Sequence, residues 1–177
     1  MRIFRLTLIA VAVSVAWSAY AEAIEVRKRR EAPGTAAEVW ALVGGFCAIQ
    51  KWHPAVAKCE EKEEGGKVFR TLTLKDGAKI EEEQTKKEAT SYSYKILSGP
   101  LPVKDYNATL TVGPDDEEDR VEILWTANFQ ANGASDEDAK KAIDGIFEAG
   151  VAGIKKIAIE AADAKEGKSS GGDKGSE

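Results

Sequence analysis

The sequence predicts an α+β domain in which a seven-stranded, curved antiparallel sheet surrounds one long C-terminal helix. Seven segments are predicted as strands, and several of them alternate apolar and polar residues, as strands with one buried face do. Only one long segment, after Ser135, repeats apolar residues at helical spacing. The apolar face of a sheet must be covered, and this helix is the only large cover that the sequence offers. We therefore expect the sheet to curve around it.

The first part of the domain predicts one strand followed by two helices. Residues 24–31 alternate and form the first strand. Thr35 is the predicted N-cap of the first helix, and Glu38 completes a capping box. Residues 46–52 form a second, short helix. The tripeptide Trp52-His53-Pro54 then lies at a helix-to-strand corner, because proline disfavours helical geometry in the residue before it. We call this tripeptide the Trp-His-Pro corner.

Six further strands precede the long helix. They are predicted at residues 56–63, 67–74, 78–86, 90–97, 105–112 and 120–130. A three-residue loop that ends in Gly77 joins the third strand to the fourth and sets their register. In this register Leu72 faces Ile80, and Arg70 faces Glu82. Apolar side chains then meet apolar ones, and opposite charges meet.

Both ends of the chain are predicted to lie outside the domain. A basic start, an apolar run at residues 6–17 and small residues before position 22 predict a signal peptide over residues 1–21, cleaved after Ala21. The alternative, an uncleaved anchor, is disfavoured because the run is short for a bilayer. We therefore expect a periplasmic or secreted protein with a domain at 22–164. Residues 165–177 lack large apolar side chains and predict a disordered tail.

Charge and cysteine content exclude several classes of function. The chain carries a net charge of -5, so nucleic acid is not an expected partner. Cys47 and Cys59 are the only two cysteines, and an exported chain predicts a disulfide between them. A metal pair and a catalytic thiol are the alternatives, but His53 would bring a metal site to only three ligands. We expect no metal and no other cofactor.

A sheet that surrounds a single helix rarely closes tightly, so we expect a cavity between them. Gly150 lies on the apolar face of the long helix, where a missing side chain leaves room. The proline-stiffened loop at residues 98–103 and the Trp-His-Pro corner are the predicted mouth.

The order of elements and several motifs carry a resemblance to a known superfamily. Strand, two helices, six strands and a helix is the helix-grip order of the START and pollen-allergen superfamily, also called SRPBCC. The motifs that carry the resemblance are Val43-Gly44-Gly45-Phe46, Trp52-His53-Pro54-Ala55-Val56, Tyr92-Ser93-Tyr94, Gly99-Pro100-Leu101-Pro102-Val103 and Tyr106. They resemble the polyketide cyclase/dehydrase-like branch of this superfamily. That branch includes methanol-oxidation accessory proteins of the MxaD type. The resemblance implies a hydrophobic ligand in the cavity. For the accessory proteins it implies a periplasmic role that assists electron transfer from a dehydrogenase to a cytochrome.

The residues predicted to line the cavity lie at the corner, in the loop and on inward faces of the strands and the long helix. They are Trp52, His53, Arg70, Glu82, Tyr94, Leu101, Pro102, Tyr106, Trp125, Phe129, Phe147 and Gly150. The aromatic residues are either lining or ordinary core. The pair of opposite charges is either a structural ion pair or a means of orienting a polar group of the ligand.

Three hypotheses about function follow. The first is a non-catalytic protein that holds a small hydrophobic or amphipathic molecule. The second is an accessory protein that docks on a periplasmic oxidoreductase or cytochrome through its acidic surface. The third is a cyclase or dehydratase that uses His53, the only histidine, as general acid or base. A structural role for His53 is favoured, because no second catalytic group is fixed near it by the sequence.

Overall fold

The computed structural model describes residues 22–170, and within them it has the predicted order of seven strands and three helices. The elements are β1 (Ile24–Pro33), α1 (Ala36–Val43), α2 (Ile49–Trp52), β2 (Val56–Glu64), β3 (Lys67–Leu74), β4 (Lys79–Lys87), β5 (Ser91–Ser98), β6 (Val103–Pro114), β7 (Arg120–Ala131) and α3 (Asp136–Ser170). The predicted fold class, a seven-stranded antiparallel sheet with a long C-terminal helix, is confirmed. The predicted signal peptide and residues 171–177 lie outside the described residues.

The strands form one antiparallel sheet in the order β1-β7-β6-β5-β4-β3-β2. Neighbouring strands in the sheet are consecutive in the chain, except for β1 and β7. These two strands pair from Ile24, opposite Phe129, to Pro33, opposite Arg120. The first and second strands are therefore the two edges of the sheet. The connection through α1 and α2 must cross from one edge to the other, and this brings the Trp-His-Pro corner over the sheet.

The predicted register of β3 and β4 is confirmed. Leu72 lies opposite Ile80, and Arg70 lies opposite Glu82. Gly77 has a φ of 89°, a value that glycine adopts without steric penalty. β6 begins at Val103, earlier than the predicted residue 105. Its pairing with β7 is irregular between Lys104 and Asn107, and the strand continues through this irregularity.

The first helix begins as predicted, and the second is shorter than predicted. The side chain of Thr35 accepts from the Glu38 N–H, and the Glu38 side chain accepts from the Thr35 N–H, so the capping box is present. α2 begins at Ile49 instead of residue 46. The preceding residues form a tight turn in which the Ala48 N–H donates to the Gly45 carbonyl.

The long helix packs chiefly on β1 and β7. Its first turn is capped by Ser135, whose hydroxyl accepts from the Asp138 N–H at 3.1 Å. Lys28 of β1 pairs with Asp144 at 2.9 Å, and Arg30 pairs with Glu148. α3 continues to Ser170, beyond the predicted domain boundary at residue 164. No helix within residues 22–170 is long and apolar enough to cross a bilayer.

Two glycines let α3 approach its neighbours closely. A Cβ built on Gly153 would lie 1.8 Å from the carbonyl oxygen of Trp52. A Cβ built on Gly150 would lie 2.3 Å from Trp125 and 3.1 Å from His53. Real Cβ atoms do not approach other atoms so closely, so neither position accepts a side chain without movement of the corner or the sheet.

We predict opposite effects for two glycine-to-alanine substitutions in α3. Gly153→Ala should destabilise the protein by roughly 1–3 kcal/mol, because its Cβ would overlap backbone. Gly145→Ala is the matched control: its Cβ would meet nothing within 4 Å, and alanine favours helix by up to about 1 kcal/mol. Urea denaturation measures both. Equal free energies of unfolding for the two variants would contradict the close contact.

Candidate functional site

An internal cavity of about 70 Å³ lies between α3 and the concave face of the sheet, beneath the Trp-His-Pro corner. Its lining is mostly aliphatic and aromatic and consists of Ile49, His53, Ala55, Val56, Leu72, Leu74, Ile80, Glu82, Tyr94, Ile96, Leu101, Tyr106, Trp125, Ile143, Ile146 and Phe147. Pockets for drug-sized ligands usually measure about 300–1,000 Å³. The expectation of a guest-sized hollow is therefore wrong for this conformation.

Aromatic packing explains why the interior is nearly full. The rings of Trp125 and Phe147 stack with centroids 4.2 Å apart and planes 9° apart. Trp52 packs edge-on against Trp125 at 5.5 Å. Gly150 does not enlarge the cavity as expected, because His53 and Trp125 occupy the space beside it. The missing side chain thus makes room for two rings of the protein itself.

A buried ion pair lies behind one end of the cavity. Arg70 is 1 % exposed and Glu82 is 4 % exposed. The Arg70 Nε donates to Glu82 Oε2, and its Nη1 donates to the Phe46 carbonyl. Burial raises the pKa of Glu82, while the charge of Arg70 opposes that rise. Pairing is what makes burial of these two charges tolerable.

Two tyrosines complete the end of the cavity that Glu82 lines. The Trp125 Nε1–H donates to the Tyr94 hydroxyl at 3.1 Å, and the Tyr94 and Tyr106 hydroxyls lie 3.4 Å apart. Burial holds the pKa of both phenols above its usual value, so both are neutral at physiological pH. We call Glu82, Tyr94 and Tyr106 the polar end of the cavity.

His53 is held by backbone groups on both sides of its ring. Its Nδ1 accepts from the Ala55 N–H at 3.2 Å, so the neutral ring carries its proton on Nε2, which donates to the Ile146 carbonyl at 3.0 Å. Burial lowers the pKa of His53, and the nearby charge of Arg70 acts in the same direction. The ring therefore fastens the corner to α3 in its neutral form.

Seven of the residues predicted to line the cavity do so, and five do not. The seven are His53, Glu82, Tyr94, Leu101, Tyr106, Trp125 and Phe147. Of the others, Arg70 lies behind Glu82, Trp52 donates to the Val43 carbonyl, and Phe129 stacks on Tyr106. Gly150 lies against rings, and Pro102 accepts from Asn132 through its carbonyl.

Sequence reasoning missed most of the aliphatic lining. The missed residues are Ile49, Ala55, Val56, Leu72, Leu74, Ile80, Ile96, Ile143 and Ile146. The alternation of β3 to β5 already assigned several of them to the inward face. The same pattern describes ordinary core, so it did not separate lining from packing.

A second, larger concavity lies outside the corner and is open to solvent. This groove of about 730 Å³ runs between the corner and α3 and includes Lys51, Lys75, Lys156 and Glu160. His53 borders both the groove and the internal cavity. The groove is a shallow, charged surface, and the cavity with its mostly apolar lining is the better candidate for holding a hydrophobic molecule.

The two cysteines lie in disulfide geometry. Their Cα atoms are 5.4 Å apart, and the bond joins the turn before α2 to β2. The Gln50 side chain accepts from the Cys59 N–H at 2.7 Å and supports the same junction. Within residues 22–170 no group of three His, Cys, Asp or Glu side chains converges as a metal site would require.

A curved seven-stranded antiparallel sheet around one long C-terminal helix defines a domain of the helix-grip type. The chain belongs to the polyketide cyclase/dehydrase and lipid transport family, whose family model matches residues 23–158. The predicted resemblance to the polyketide cyclase-like branch of SRPBCC is thereby confirmed. No curated protein matches the chain.

Several solved structures share this fold. XoxI of Bacillus cereus is 27 % identical, with a TM-score of 0.73, and the match covers 78 % of this chain and 97 % of that one. A protein from Bacillus thuringiensis is 28 % identical, with a TM-score of 0.72, covering 77 % of this chain and 99 % of that one. The Zhui aromatase/cyclase from Streptomyces sp. R1128 is 16 % identical, with a TM-score of 0.62 and coverage of 80 % and 94 %. The last similarity shows the fold alone.

We predict that His53 makes the protein less stable in acid. The folded pKa lies below the unfolded value of about 6.5, so below that pH the unfolded chain binds a proton that the folded chain does not. Stability should fall with decreasing pH by up to about 1.4 kcal/mol per pH unit until the folded pKa is reached. His53→Gln should lose this component. Urea denaturation at pH 8 and pH 5 tests it, and an equal acid loss in both proteins would contradict the role of His53.

Proposed function

We propose that the protein binds a small hydrophobic or amphipathic molecule in the cavity beneath the Trp-His-Pro corner, without catalysing its conversion. The observation that carries this proposal is an apolar cavity between the helix and the sheet that terminates in buried polar side chains. Such a combination, with few polar groups at fixed positions, is typical of sites that bind and orient small molecules. Membership of a family named for cyclases, dehydrases and lipid transport supports the binding of such a molecule.

A ligand larger than a few atoms requires the walls of the cavity to separate. α3 is fixed to β1 and β7 by packing and by the ion pairs of Lys28 and Arg30. Towards β3, β4 and β5 it meets mainly the side chains that line the cavity. We infer that the ligand enters on this side, where Leu101 of the loop between β5 and β6 lines the cavity and is half-buried.

The environment of His53 supports a structural role over a catalytic one. Both ring nitrogens are hydrogen-bonded to backbone groups, so exchange of a proton with a ligand would break one of these bonds. Turnover of a candidate substrate that His53→Ala abolishes, with the fold retained, would contradict this part of the proposal.

We predict that a bulky side chain in the wall will exclude the ligand. Ile96→Trp places a large ring in the cavity and should weaken binding at least about tenfold, because the volume for the guest is lost. Leu97→Trp is the matched control on the same strand, since Leu97 is exposed and does not line the cavity. Native mass spectrometry of co-purified ligand and a fluorescence titration measure the effect. Equal occupancy in both variants would place the ligand elsewhere.

The charge of the surface favours a second candidate role, docking on a periplasmic oxidoreductase or cytochrome. Glu61 and Glu63 on the edge strand β2 are exposed, as are Asp116, Glu117 and Glu118 in the turn before β7. An acidic surface accelerates association with a basic partner, and salt weakens that effect. Capture of a dehydrogenase or cytochrome that declines as salt is raised to about 0.5 M would support this role, and failure to capture either partner at low salt would contradict it. Export with cleavage after Ala21 remains a prediction, tested by the mass of the exported protein.

A further inference from the structure

We propose that the cavity selects a neutral hydroxyl group, so that its ligand is an apolar alcohol or phenol and not the corresponding acid or amine. This inference rests on the proposed function, since it requires a ligand in the cavity. It follows from a count of the hydrogen-bonding groups that remain unused at the polar end and from the balance of charge there.

The polar side chains that line the cavity are His53, Glu82, Tyr94, Tyr106 and Trp125. Both nitrogens of His53 are bonded to backbone, and the Trp125 N–H donates to Tyr94. These two residues therefore offer nothing further to a ligand. Only the polar end, as defined above, is left to recognise a polar group.

The tyrosine pair leaves one donor unused, whichever way its bond is directed. If Tyr94 donates to Tyr106, the hydroxyl hydrogen of Tyr106 has no acceptor in the pair. If Tyr106 donates to Tyr94, the hydrogen of Tyr94 is the one left over. The Tyr94 oxygen accepts from Trp125 in both cases. The pair thus presents one O–H donor to the cavity.

Glu82 supplies the matching acceptor. Its bond to Arg70 uses Oε2, and a carboxylate offers about four acceptor positions on its two oxygens. The polar end thus presents one O–H donor and one carboxylate acceptor. A hydroxyl group donates one hydrogen bond and accepts others, so a single hydroxyl satisfies both. A ketone or aldehyde satisfies only the donor.

The charge balance excludes ionised ligands. Arg70 and Glu82 neutralise each other while both are almost fully buried. A ligand carboxylate would place a second negative charge beside Glu82, and a ligand ammonium would add an unbalanced positive charge near Arg70. An unpaired charge in an apolar interior is strongly unfavourable. The rest of the lining, such as Leu72, Ile80 and Phe147, suits the hydrocarbon part of the ligand.

The test uses four probes of nearly the same shape: benzyl alcohol, toluene, benzoate and benzylamine. Affinities are measured at pH 8 by fluorescence, since Trp125 lines the cavity. Benzyl alcohol should bind at least about tenfold more tightly than each of the other three, as expected of hydrogen bonds to a charged group. Benzoate or benzylamine binding as tightly as the alcohol would overturn the inference, as would equal binding of toluene. Failure of all four to bind would instead overturn the proposed function.

A matched pair of variants tests the charge argument directly. Glu82→Gln removes the carboxylate and leaves Arg70 unneutralised, so benzoate should become the preferred probe. Glu83→Gln is the control: this neighbouring carboxylate pairs with Lys67 and Lys95 and does not line the cavity, so the preference for alcohol should be unchanged. An unchanged preference in folded Glu82→Gln would overturn the inference. If near-ultraviolet circular dichroism shows that this variant does not fold, the four probes with the unaltered protein still decide.

Discussion

The close contact between α3 and the Trp-His-Pro corner is the constraint on which the candidate site depends. Gly153 admits the Trp52 carbonyl, Gly150 admits two rings, and His53 donates to the Ile146 carbonyl. The corner also ends the connection that crosses from one edge of the sheet to the other. The contact therefore sets the distance between helix and sheet, and with it the volume that remains inside.

The Arg70–Glu82 pair adds a second constraint, which concerns charge. Two ions in an apolar interior gain little net stability over well-packed hydrophobic residues, whereas removal of one partner costs about 3–5 kcal/mol. Arg70 is also held by the Phe46 carbonyl, and its guanidinium lies 4.0 Å from the centre of the Phe46 ring. These contacts fix the direction in which Glu82 faces the cavity. A pair maintained only for stability would not need one member to line a void.

The fold could be predicted because its signals are local. Alternation located several of the strands, a capping box located α1, and a three-residue loop set the pairing of Arg70 with Glu82. The volume of the cavity could not be predicted in this way. It depends on how Trp125 stacks on Phe147 and on what occupies the space beside Gly150, and both are contacts between distant parts of the chain. A glycine on an apolar helix face indicates close approach, but the sequence does not say whether a ligand or the protein itself makes that approach.

Two features, the small volume and the buried polar groups, favour a cavity that opens for a ligand. A void left by imperfect packing of the core fits them less well. A core without function would lose little if Arg70 and Glu82 were replaced together by well-packed apolar residues, because spare carboxylate acceptors are unfavourable in an apolar interior. α3 packs extensively on β1 and β7. Towards the other edge of the sheet, its packing rests mainly on the side chains that line the cavity. An asymmetry of this kind lets one wall move while the opposite wall stays fixed. A guest that inserts there satisfies the polar end and fills the enlarged space with hydrocarbon, and both gains oppose the loss of packing that opening requires.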